Sequence, residues 1–203
     1  MTTPAGRRGR LMLAAIAAAA IAVAVTVTVV AFTRPGRPAG PAFPQLHPAA
    51  APASWRHLTL PNGTAVLYYP PGLRAIAGDK DAVSAARLSP GGAFQLYLNA
   101  TPRQGSERLA DWAAFRLHLL RSDDAASARQ VAAAQRIKFR GGTGSCVMDR
   151  YVTRIGGHHF QEIACLVQGH HTTASVIVAA APAAQWATAR PLLLRAVAAY
   201  RIR

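Results

Sequence analysis

The stretch GSCVMDRYVTRIGGHHFQEIACLVQGHH, residues 144–171, holds both cysteines of the chain and four of its seven histidines. It also holds two carboxylates, Asp149 and Glu162. Thiolates with imidazoles are the donor set of a zinc site, and two thiols alone are that of a disulfide. Paired carboxylates can do acid–base or nucleophilic work. Which chemistry is open depends on how the segment folds. Two strand-like runs flank Arg154-Ile155-Gly156-Gly157, so the segment reads as a hairpin.

If Arg154 pairs with Gly157 across Ile155-Gly156, Cys146 faces Cys165. In the same register Met148 faces Ile163, Asp149 faces Glu162 and Tyr151 faces Phe160. Centring the turn one residue later still leaves the cysteines diagonal neighbours on one face. Opposed positions of an antiparallel pair bring Cα atoms within disulfide range, so Cys146 and Cys165 are expected to bridge. Closing that interval stabilises the fold by about 3 kcal/mol in the chain-entropy model.

The histidines do not join them. His158-His159 opens the second strand and His170-His171 follows it, roughly 36–40 Å away at strand rise. One ion cannot gather ligands over that distance, so no metal and no cofactor are expected. Asp149 and Glu162 form the basis of an alternative, an extracytoplasmic hydrolase using that pair or a histidine. Like charges opposed on a sheet repel, and Arg150 and Arg154 lie close by in sequence. A solvated face is therefore the expected setting, and no catalytic residue is assigned. GGTGSC at 141–146 lacks the lysine of a phosphate-binding loop and the spacing of a nucleophile elbow.

Elements elsewhere must carry and locate this hairpin. Residues 1–10 form a basic tail with Arg7, Arg8 and Arg10. Leu11 to Phe32 is a run of 22 uncharged residues, roughly 33 Å as a helix and enough to span a bilayer. Its length favours an uncleaved transmembrane signal anchor over a signal peptide; Ala-Val-Ala at 22–24 leaves cleavage open. The basic tail favours a cytoplasmic amino terminus. A single-pass cell-membrane protein with an extracytoplasmic carboxy-terminal domain is the expected arrangement. Residues 33–54 carry six prolines and read as a semi-extended linker. The remainder, 55–203, is of single-domain size.

Within that domain the order reads as four strands, a helix, four strands and a helix. Asn62-Gly63 turns the first hairpin and Ser89-Pro90-Gly91-Gly92 the second. Gly105 or Ser106 is expected to cap the first helix, whose apolar face carries Leu109, Trp112, Leu117 and Leu120, with Arg116 at its border. Pro182 suits the start of the last helix, and Pro191 is expected to kink or split it. Short connections make the sheet largely antiparallel with helices packed on it, an α+β fold.

Five of the 23 basic residues precede residue 55, leaving 18 against all 8 acidic ones, a net +10 for the domain. Outside the cell this argues against nucleic acid and for an anionic envelope polymer or lipid. RIKFR at 136–140 alternates Arg136, Lys138 and Arg140 against Ile137 and Phe139, a candidate contact for such a surface.

Three segments resemble the PsbP-like sandwich shared by extrinsic photosystem subunits and LpqN-type secreted lipoproteins. They are LYYPPGL at 67–73, SERLADWAAFRL at 106–117, and the terminal strand and helix through AVAAY. Leu73 stands where that family often has Trp, and the lipobox cysteine is missing. The resemblance covers nearly all of 55–203. It implies a non-catalytic domain that binds a partner, and it assigns no site residue.

Overall fold

In the computed structural model, residues 43–44, 46–170 and 173–203 are described. The basic tail, the 11–32 span, half of the linker and His171 lie outside the described residues. Among the described residues no helix is long and apolar enough to cross a membrane.

The first hairpin pairs β1 (Arg56–Thr59) with β2 (Ala65–Tyr69). Its turn uses Asn62 as expected: Asn62 Oδ1 accepts the Thr64 N–H at 3.1 Å and the Thr64 hydroxyl at 2.7 Å. Then follow β3 (Arg74–Ile76), β4 (Val83–Leu88), β5 (Phe94–Pro102) and α1 (Trp112–Leu119). A π-helical turn, Leu120–Asp124, leads into β6 (Ala125–Phe139). The chain continues through β7 (Gly142–Thr153), β8 (His159–Gln168), β9 (Ala174–Pro182), α2 (Trp186–Ala199) and β10 (Arg201–Ile202).

The strands form two sheets rather than one. The larger has the order β3-β4-β5-β9-β8-β7-β6 and the smaller β1-β2-β10. Every strand pair is antiparallel. Strands β3 and β10 have three and two residues, too few to show a period.

Side chains of the large sheet alternate between two cores. One face carries Cys146, Met148, Ile163, Cys165 and Ile177, covered by α2 through Leu193 and Val197 and by the small sheet through Leu67. The other carries Val147, Ala164, Leu166 and Val176, covered by Trp112 of α1. Because both faces are covered, β9 reads SVIVAAA as one buried run with no polar alternation. Tyr200, at the end of α2, is fully buried, its hydroxyl 2.7 Å from that of Ser175 on β9.

Four local expectations change. The packed chain begins before Trp55, because Phe43 and Leu46 enter the core and the Ala49 N–H reaches the Ala198 carbonyl at 3.0 Å. Proline fixes φ without preventing burial of the apolar residues between prolines. Helix α1 starts at Trp112, not near Ser106, because the Glu107 carboxylate binds back to the N–H groups of Gly105 (2.7 Å) and Gln104 (3.2 Å). Strand β6 begins at Ala125 rather than at Val131, where the sequence suggests a strand over 131–140, since pairing with β7 overrides its alanine-rich composition. Helix α2 runs unbroken through Pro191, which lies exposed in its first half.

The hairpin register is the expected one from Val152↔His159 to Thr143↔Gln168. Cys146 and Cys165 form the disulfide, with Cα atoms 4.1 Å apart. Replacing both cysteines by alanine should lower stability by about 3 kcal/mol, read from urea unfolding. A loss under about 1 kcal/mol would mean that the unfolded chain already holds this hairpin closed.

Candidate functional site

Asp149 and Glu162 are opposite each other, as the register requires. The expected solvated face is overturned. Asp149 is 0% exposed and Glu162 1%. Both project onto the face that α1 covers, one row beyond Val147 and Ala164. Trp112 fastens the helix there, its indole N–H donating to the Ala164 carbonyl at 2.9 Å. Ser145 adds a hydroxyl bond to the Leu109 carbonyl at 2.6 Å, just before the helix.

Arg116 of α1 grips Glu162 with two parallel bonds, Nε to Oε1 at 2.7 Å and Nη2 to Oε2 at 3.0 Å. This forked geometry is the strong form of an arginine–carboxylate pair. Burial alone would lower the Arg116 pKa, but the charge of Glu162 and its hydrogen bonds outweigh that and raise it. Among the described residues neither carboxyl oxygen of Asp149 has a hydrogen-bond partner. Burial, and then the Glu162 charge, push Asp149 up to about 7, with Arg116 and Arg121 pulling the other way. Burial, followed by Glu162, also raises the neighbouring Tyr151 hydroxyl.

The arrangement can store a proton on Asp149. Glu162 is locked in its ion pair, and Asp149 is closed over by protein. The cleft lined by Arg150, Val152 and His159 opens on the opposite face of the sheet, and neither carboxylate lines it. The histidines do not complete a site. His158 and His159 stand at one end of β8 and His170 beyond the other. Among the described residues no group of three or more His, Cys, Asp or Glu is placed to hold a metal.

The basic RIKFR segment lies on β6, the free edge of the large sheet. Arg136 and Lys138 are exposed, and Ile137 and Phe139 turn inward. The ladder shifts register between Ala134 and Ile137, and Arg136 takes a φ of 58° inside that bulge. Arg140 is half-buried, its guanidinium 5.9 Å from the Tyr68 ring. The free cations of this segment are therefore Arg136 and Lys138, with Arg140 serving as a packing contact.

Sequence reasoning missed a second basic cluster. Arg129 on β6 is the partner of Arg150 on β7, which in turn faces Gln161 on β8. The Arg150–Gln161 pair follows from the cysteine register. The Arg129–Arg150 pair does not, because bulges flank it at Ala125/Ser127 and Gln130/Ala132.

The chain carries the PsbP-like α+β fold. The solution structure of PsbP (CyanoP) from the cyanobacterium Synechocystis superposes with a TM-score of 0.52 at 14% identity, covering 75% of this chain and 95% of that one. The Saccharomyces cerevisiae Ran-binding protein Mog1p gives 0.51 at 13% identity, covering 73% and 95%. LpqN of Mycobacterium tuberculosis, involved in cell envelope biogenesis, gives 0.47 at 12%, covering 73% and 90%. No protein-family model matches the chain, and no curated protein matches it in sequence.

Proposed function

We propose that this chain is a membrane-anchored, extracytoplasmic, non-catalytic domain that binds a protein partner or an anionic component of the cell envelope. One observation carries the reading: the opposed carboxylates are shut away beneath α1 while one sheet edge, β6, presents cations. A disulfide supports the extracytoplasmic side, since paired thiols persist in oxidising compartments. The uncharged 11–32 run supports the anchor. Mog1p, which shares the fold, is a Ran-binding protein, and a protein partner is the reading this likeness supports.

The test uses the full chain in uncharged detergent, sedimented with purified cell envelopes at rising salt. Arg136→Glu with Lys138→Glu should weaken co-sedimentation severalfold while leaving the thermal midpoint unchanged. Arg140 is left in place because it packs on Tyr68. Screening should release the wild-type chain as salt rises. Retention that ignores both salt and charge reversal would remove the anionic component and leave the protein partner.

A further inference from the structure

We infer that the cleft where β6, β7 and β8 end beside α2 is a binding site for a phosphate group. Arg129 and Arg150 are directly opposed on neighbouring strands. Like charges so placed repel, yet no carboxylate lines the cleft they share. An anion between them turns that repulsion into attraction.

Arg150 is held ready. Its Nε donates to Gln161 Oε1 at 2.6 Å. Gln161 is itself 2% exposed, with its Nε2 3.0 Å from the Met148 sulfur. A buried amide thus fixes the guanidinium through Nε alone, and among the described residues its terminal nitrogens meet no protein acceptor. Arg129 is exposed on the partner strand. The next row adds Ser127 and His159, facing each other across Val152. Three strands therefore bring two guanidinium forks, an imidazole and a hydroxyl to one place.

The ligand class follows from these donors. Guanidinium forks match the oxygens of a phosphate two at a time. The cleft measures about 320 Å³, at the small end of ligand sites. It fits a phosphate group and part of its substituent, not a length of polymer. Tyr151 and Phe160, between these rows, send their stacked rings to the other face of the sheet, so the side chains offered to the ligand are polar. Ala183, at the start of the turn that leads into α2, closes another side. The site is separate from Arg136 and Lys138, so loss of either leaves the other intact.

The test is calorimetric titration of the full chain in uncharged detergent with inorganic phosphate and, separately, with dihexanoyl phosphatidic acid. Binding of phosphate should weaken at least tenfold in Arg129→Gln and in Arg150→Gln, and should be unchanged in Arg108→Gln, a substitution of an exposed arginine outside the cleft. Arg129→Lys should restore part of the affinity, which a misfolded variant would not. Gln161→Leu should weaken binding without touching the ligand, as a positioning residue does. Tighter binding of the lipid than of the free ion would assign a headgroup as the source, and equal binding would assign free phosphate. Absence of phosphate binding, or equal affinity in wild type, Arg129→Gln and Arg150→Gln, would overturn the site. The envelope sedimentation result would stand either way.

Discussion

Replacing Arg116 by methionine should destabilise the domain by about 3–5 kcal/mol at pH 7, the usual range for breaking one side of a buried ion pair. Glu162, 1% exposed, would be left as a charge without a counter-ion. The double variant Arg116→Met/Glu162→Leu should recover most of that loss, because removing both charges also removes the desolvation they cause. Urea unfolding of the two singles and the double gives the coupling directly. A loss below about 1 kcal/mol in Arg116→Met would mean that water already reaches Glu162 from below the helix.

The second large effect concerns Asp149 and has a definite sign. Its carboxyl is pushed up to about 7 in the fold, against an unperturbed 3.8. Between those values the folded chain keeps a proton that the unfolded chain has released. The stabilisation from this group is complete below the unfolded value and is lost as pH rises through about 7. The span of roughly three pKa units corresponds to about 4 kcal/mol at most. Asp149→Asn cannot ionise, so it should gain on the wild type from pH 5 up to about 7, level off above that, and be the more stable of the two at pH 8. Thermal midpoints of both proteins across that range, with the Asp149 carboxyl followed by carbon NMR, provide the check. Parallel pH profiles would mean that the carboxyl is solvated in solution.

How far the sequence could be read depended on the distance over which each feature is decided. The β7–β8 register is local: a glycine turn and two strands of matching parity bring Cys146 to Cys165 and Asp149 to Glu162. The burial of that acid pair is not local. Met148-Asp149-Arg150 and Gln161-Glu162-Ile163 place polar residues on both faces, which resembles a wet sheet. The cover comes from α1, more than thirty residues upstream in chain order, and its Arg116 reads as a border residue with an aliphatic stem rather than as a counter-ion. The start of β6 failed for a related reason. AASARQVAAA has no strand period, and only the neighbouring strand together with three register shifts makes it extended.

Those same three shifts, with Arg129, Arg136 and Lys138 on the strand, guard the long free edge against pairing with another chain. The cations there thus serve two ends, keeping other strands away and presenting positive charge outward.

The position of the disulfide also has a mechanical consequence. A domain tethered at its amino-terminal side and held elsewhere by a partner would be placed under tension. Cys146 and Cys165, 4.1 Å apart in the fold, stay within about 7 Å of each other however far the rest unravels. The loop between them, roughly 60 Å of extended chain, is withheld from the stretch. The tether would therefore lengthen less under load than its residue count suggests, and the β7–β8 turn would be the last part of the molecule to feel the pull.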